Sequence, residues 1–262
     1  MIARLVLIMT AAALLGGCGG QYMAAMPDVV AAEGRTARVA VQLRRQEFWR
    51  FAPPVADAAL TVRLDDGPRR AAFTDADGYA AVPLAAPAQP GRYSLTLHLQ
   101  DAGGVEFTQV GRCYVLDSRR LALAVDWRCV QADDAAEGPL RALHAAGVQI
   151  VYVVKGGGDG GRIHEALAAR ELPDGPVISW DGRRTLPGAL PAARRALPSL
   201  VVLATDRDDL ARCSDALNMA AAGADPDWIA LAVRVSRAAA ALRGADFGAL
   251  RIADVRSELA RP

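Results

Sequence analysis

The chain has 262 residues, 52% of them apolar, and a formal net charge of +1. That balance excludes an intrinsically disordered chain and gives no electrostatic basis for nucleic-acid binding or for a strongly acidic partner. The length accommodates one large domain or two small ones.

Met1–Gly17 opens with Arg4, continues with an apolar stretch from Leu5 to Leu15, and ends in Gly16 and Gly17 before Cys18. This is the layout of a secretory signal, too short to span a bilayer as a stable helix. Leu15-Gly16-Gly17-Cys18 resembles the bacterial lipobox. The resemblance implies that Cys18 is acylated and becomes the new N-terminus, holding the protein on a membrane through several acyl chains. Gly19 follows the cysteine, with no aspartate to retain the protein at the inner membrane, so an outer-membrane lipoprotein facing the periplasm is expected. Residues 18–32 are read as a lipidated tether. No later segment has the length and apolarity of a membrane span.

Residues 33–117 read as strands and turns. Arg38–Leu43, Ala59–Leu64 and Arg92–Gln100 alternate in polarity. Ser94, Thr96, His98 and Gln100 share one face of the last segment, and Tyr93, Leu95, Leu97 and Leu99 share the other. Half-buried antiparallel strands give this pattern. Turns are marked by Asp65-Asp66-Gly67-Pro68, Asp75-Ala76-Asp77-Gly78, Gln89-Pro90-Gly91 and Asp101-Ala102-Gly103-Gly104. A small β-sandwich is expected. Thr74–Tyr79 resembles the hairpin of immunoglobulin-like and carboxypeptidase-regulatory-like modules. Its aspartates are read as turn formers, with Ca²⁺ ligation as the competing role. Phe48 and Trp49, near Pro53-Pro54, are read as core, with contact to lipid or a partner as the other possibility.

From residue 118 to 262 strands and helices alternate. Strands are predicted at Leu121–Val125, Gln149–Val154, Pro176–Trp180, Leu200–Thr205 and Trp228–Val235. Helices are predicted at Pro139–Ala146, Arg162–Arg170, Ala189–Leu197 and Asp208–Ala222. The remainder is mostly helical around a short Ala249–Ile252 segment. Continuous apolar strands alternating with helices imply a parallel sheet covered on both faces. In a βαβ unit the ligand site lies beyond the carboxyl ends of the strands, which places Asp126, Arg128 and Lys155 at one spot. Gly156–Gly161 lacks a GK[ST] ending and is read as a turn exposing backbone N–H groups at a helix start.

The order of these features resembles the lipin-like and actin-patch-associated phosphatidate phosphatases of the haloacid-dehalogenase (HAD) superfamily. A T-D-x-D-G-Y hairpin leads to a strand ending in Asp126. A strand, glycine loop and helix then run to Leu172-Pro173-Asp174-Gly175-Pro176, and Leu200–Asp206 follows. The resemblance covers roughly residues 38–235. It implies an immunoglobulin-like sandwich followed by a HAD-like α/β domain. It also implies an aspartyl-phosphate formed on Asp126, with Mg²⁺ held by Asp126, Asp206 and Asp209 (Asp208 being the other candidate carboxylate). Arg128 stands where the acid/base aspartate belongs, and a guanidinium cannot shuttle protons. Val153-Val154-Lys155 replaces the usual Ser-Ser-Arg, and Arg194 or Arg195 is the loosely aligned substitute for a phosphate-clamping lysine.

Two readings follow. In the first, the domain is a catalytically impaired phosphatase that binds an anionic, phosphate-bearing ligand through Arg128, Lys155 and the N–H groups of Gly160 and Gly161, or binds an envelope protein partner. In the second, it is an active Mg²⁺-dependent phosphatidate or phosphomonoester phosphatase with Asp126 as nucleophile. Cys113, Cys129 and Cys213 remain after lipidation of Cys18. A Cys113–Cys129 bridge is unfavourable because it must fold back past a strand of about 26 Å. Cys129–Cys213 is geometrically open. His98 is read as solvated, and His144 and His164 as ordinary residues without a metal role.

Overall fold

The computed structural model describes residues 21–47, 51–65, 67–100, 105–155, 160–180, 189–205, 219–221 and 227–261. The chain is a mixed α+β protein with antiparallel and parallel sheets. Phe48, Trp49, the Asp101–Gly104 turn, Gly156–Asp159, Asp206, Asp208, Asp209 and Cys213 lie outside the described residues, as does everything before Gln21.

Eight strands build the first unit: β1 (Gln21–Ala25), β2 (Val29–Ala32), β3 (Thr36–Gln46), β4 (Ala59–Leu64), β5 (Arg70–Phe73), β6 (Tyr79–Ala85), β7 (Gly91–Gln100) and β8 (Glu106–Leu116). One sheet has the order β1-β3-β6 and the other β2-β8-β7-β4-β5. Val39, Val41 and Leu43 of β3 and Val82 of β6 meet Leu60, Leu95, Leu97 and Leu99 of the second sheet in one core. The alternation read from sequence is therefore real: β3 buries Ala37, Val39, Val41 and Leu43, and β7 buries Leu95, Leu97 and Leu99. Gly78 is held at φ +75°, and a Cβ there would collide with the Leu43 carbonyl, so only glycine closes the hairpin before β6. In that hairpin Asp75 Oδ1 accepts from the N–H groups of Asp77 and Tyr79 at 3.0 and 2.8 Å, the turn role expected of it.

From Gln21 on, the expected tether contains two strands instead. Gln21–Ala25 pairs antiparallel with the end of β3, and Val29–Ala32 pairs parallel with β8. All four residues of β2 are buried. Val29 and Ala31 enter the sandwich core, while Val30 and Ala32 enter a core with Ala122, Ala124, Val151, Val153 and Ile178. A short alanine-rich run carries little polarity contrast, so its membership of two cores left no alternation to read.

The second unit contains β9 (Ala122–Asp126), α1 (Trp127–Ala132), α2 (Glu137–Ala145), β10 (Gln149–Lys155), α3 (Gly160–Ala169), β11 (Val177–Trp180), α4 (Ala189–Ala196), β12 (Leu200–Ala204), β13 (Ala220–Ala221), α5 (Trp228–Ala241) and α6 (Ile252–Ala260). Its sheet is parallel throughout, in the order β11-β10-β9-β12-β13, with β9 central. Helices α2, α3, α5 and α6 cover one face. Helix α4 and strand β2 cover the other.

Two predicted elements differ. Trp228–Val235, expected as a strand, is the start of α5. Trp228, Leu231, Ala232, Val235 and Ala238 are buried, the helical i, i+3, i+4 spacing, while Ile229 and Val233 are exposed. Asp227 caps the helix by accepting from the N–H of Ala230 at 2.9 Å. A six-residue apolar run fits both periods, and here the helical one prevails. The helix expected at Asp208–Ala222 falls outside the described residues as far as Asn218, and Ala220–Ala221 pair with Val202–Leu203 as strand.

Candidate functional site

Asp126 is the last residue of the central strand and the N-cap of α1. Among the described residues it is one of four buried polar or charged ones, at 4% exposure, and Thr205 just beyond β12 is another. A carboxylate dehydrated to that degree requires hydrogen-bond donors. It has four. Oδ1 accepts from the backbone N–H of Arg128 at 2.9 Å and from its Nε at 3.3 Å. Oδ2 accepts from Arg128 Nη2 at 2.7 Å and from Thr205 Oγ1 at 2.9 Å. The guanidinium thus grips both oxygens of the carboxylate with its own side half exposed to solvent.

Sequence reasoning placed Asp126 and Arg128 together, and the structure does so through one turn of helix. The backbone of Lys155 ends β10, two residues beyond Val153, which is level with Asp126. Gly160 begins α3, and a Cβ on it would meet nothing within 4 Å. Gly161 lies in the same first turn. The sequence places Thr205 only at the end of a strand; its bond to a residue 79 positions earlier leaves no local signal.

Asp206, Asp208 and Asp209, the other carboxylates expected around Mg²⁺, lie outside the described residues, so the described ones bear on Asp126 alone. Both of its carboxylate oxygens are engaged, and the closest charge to them among the described residues is the Arg128 guanidinium. Among the described residues no group of three His, Cys, Asp or Glu side chains is arranged to hold a metal ion. Arg194 donates to the Pro198 carbonyl at 2.8 Å, closing the end of α4, which is a structural use of that side chain. Cys113 is a buried thiol without a disulfide, and burial pushes its pKa up to about 12.

A second polar cluster joins the two units, and no local pattern announced it. Asp28 Oδ2 lies 2.7 Å from His164 Nε2 of α3 and accepts from the Val177 N–H at 2.7 Å. Asp174 accepts from the Tyr114 hydroxyl and from Arg92 Nη1, each at 3.0 Å. Burial raises the Tyr114 phenol above its ordinary range, with the Asp28 and Asp174 charges adding to the effect. The Leu172–Pro176 stretch, which carried much of the family resemblance, is therefore a clasp. Gly175 packs so closely on β10 that a Cβ would collide with the Ile150 carbonyl, Tyr152 donates to the Pro173 carbonyl at 2.9 Å, and Asp174 faces the sandwich.

No protein-family model matches the chain, and no curated protein matches it. Among solved structures it is similar to a carbohydrate acetylesterase from Xanthomonas citri, with 18% identity and a TM-score of 0.34, over 86% of this chain and 58% of that one. A family 39 glycoside hydrolase from Bacteroides cellulosilyticus gives 13% identity and a TM-score of 0.27, over 71% of this chain and 44% of that one. The CARDB domain of a Pyrococcus furiosus protein gives 12% identity and a TM-score of 0.26, over 37% of this chain and 89% of the domain. Likeness at this level assigns neither a family nor an activity.

Proposed function

We propose that the protein is a lipid-anchored envelope protein whose α/β unit is a HAD-like phosphatase scaffold that binds an anionic, phosphate-bearing ligand without turning it over. The anchor is the acylated Cys18, and the first unit is an immunoglobulin-like sandwich. The single observation that carries the reading is the double grip of Arg128 on Asp126. An attacking carboxylate needs an oxygen with a lone pair directed at phosphorus, and here both oxygens are held by a guanidinium, an N–H and a hydroxyl. Loss of the acid/base carboxylate at position 128 removes about 10²–10⁴ in rate by itself.

What the exchange adds is positive charge at the carboxyl ends of parallel strands, where ligands of open α/β sheets bind. Arg128 is half exposed beside Asp126, Lys155 ends the neighbouring strand, and α3 begins at Gly160 with open space over that residue. Helix starts and guanidinium groups both favour phosphate. Calorimetry with inorganic phosphate and with a soluble phosphate monoester tests this. Binding by the wild type and its loss in the Arg128→Ala/Lys155→Ala double variant, with unchanged circular dichroism, is the expected result. Unchanged affinity in the double variant removes the reading.

A further inference from the structure

The sandwich has two ends, set by strand register. At one end lie the start of β1, the end of β3, the start of β4, the end of β5, the end of β7 and the start of β8. Gln21 pairs with Gln46, Ala59 with Phe73, Leu60 with Leu99, and Gln100 with Glu106. The opposite end carries every contact described above with the α/β unit. There Ala32 is level with Leu116, Ser118 bonds Glu33, and Tyr114 and Arg92 bond Asp174.

Among the described residues, four of the seven exposed large apolar side chains sit at the first end: Met23, Phe51, Phe73 and Val105, with Phe51 at 62% and Phe73 at 70% exposure. The Phe51 carbonyl accepts from the N–H of Glu47, which places Phe51 beside the end of β3 and hence beside Gln21. Cys18 precedes Gln21 by three residues, and three extended residues reach at most about 11 Å. An acyl group on Cys18 therefore holds this end of the sandwich against the bilayer surface.

We propose that this end of the sandwich rests on the phospholipid surface in which the Cys18 acyl chains are embedded, and that the sandwich spaces the α/β unit away from it. The inference rests on the lipid-anchor part of the proposed function. The occupant is the bilayer because the acyl chains on Cys18, three residues before Gln21, would be embedded there. The contact is apolar in character. Among the described residues Glu47, Asp57, Asp75, Asp77 and Glu106 are exposed at the same end, against exposed Arg44, a balance that gives anionic lipid no pull. Strand β3 has 11 residues, which makes the spacer about 35 Å long.

The test uses the lipidated full-length protein in vesicles of phosphatidylethanolamine with and without phosphatidylglycerol. An environment-sensitive fluorophore is attached at Phe51→Cys or, separately, at Ile229→Cys on α5, in a Cys129→Ala/Cys213→Ala background. Spin-labelled phospholipid is the quencher. Most of the fluorescence at position 51 is expected to be quenched, equally in both lipid mixtures and at high salt, with little quenching at position 229. Acylated, vesicle-bound protein whose label at 51 is no better quenched than that at 229 overturns the proposal and leaves the anchor intact. Protein whose mass shows no acyl addition at Cys18 and which stays off the vesicles overturns both.

Discussion

Strand β7 of the sandwich buries Leu95, Leu97 and Leu99 and turns Thr96 and His98 to the outer face, whereas all five residues of β9 in the parallel sheet are buried. The two environments treat a carboxylate differently. Asp75 sits exposed in a turn and needs only the N–H groups of its own hairpin. Asp126, at the end of a strand dry on both faces, is dehydrated by its position, so the fold must supply a cation and a hydroxyl to it. The chemistry at Asp126 is thus a consequence of where β9 lies, and substitutions separate the two environments in order of size.

The largest contrast is in packing. Leu123→Ala, at the fully buried centre of β9, is expected to cost about 3 kcal/mol through lost burial and the cavity left behind. Thr96→Ala on the outer face of β7 stays within about 0.5 kcal/mol. Urea denaturation of both variants checks this, and equal losses would erase the distinction between the sheets.

Next is the donor set of Asp126. Thr205→Val keeps the side-chain shape and removes one donor, at an expected cost of about 1–2 kcal/mol. Arg128→Ala costs a similar amount, about 1–2 kcal/mol, because the guanidinium is half exposed and partly screened. Combining Arg128→Ala with Asp126→Asn is expected to return part of that loss, since no buried charge is then left unpaired. A double variant less stable than Arg128→Ala alone would show that the two side chains act separately.

The smallest effect is at the joint. Glu33 is partly desolvated, which opposes ionisation, but the hydroxyl and N–H of Ser118, each at 2.8 Å, hold its carboxyl below the usual range. A depressed folded pKa contributes stability above the unfolded value of about 4.3 and loses it as pH falls through the folded value. Thermal melts of wild type and Ser118→Ala across that window are expected to differ at neutral pH and converge on acidification. A gap that widens in acid would reverse the sign and refute the assignment.

Legibility in the sequence followed the range of the signal. Asp126 stood out because it ends a continuous apolar run, and Arg128 because it is two residues away. The antiparallel strands announced themselves by period-two alternation. Thr205, Asp28 and His164 did not, because their bonds span 79 and 136 positions. Gln21–Ala32 and Trp228–Val235 were misread for one reason: runs rich in alanine and valine carry too little contrast to separate tether, strand and helix. The Leu172–Pro176 stretch was noticed for its resemblance, while its work here is to dock Asp174 on Tyr114 and Arg92.

The central claim is that the grip on Asp126 leaves a phosphatase scaffold without turnover. Phosphate release by the purified mature protein, from phosphatidate and from a soluble phosphate monoester, with and without Mg²⁺, tests it beside an Asp126→Asn variant. The account predicts release indistinguishable from that variant under every condition. Magnesium-dependent release that disappears in Asp126→Asn would contradict it, showing that Arg128 lets go of the carboxylate and that another acid has taken over the vacant role.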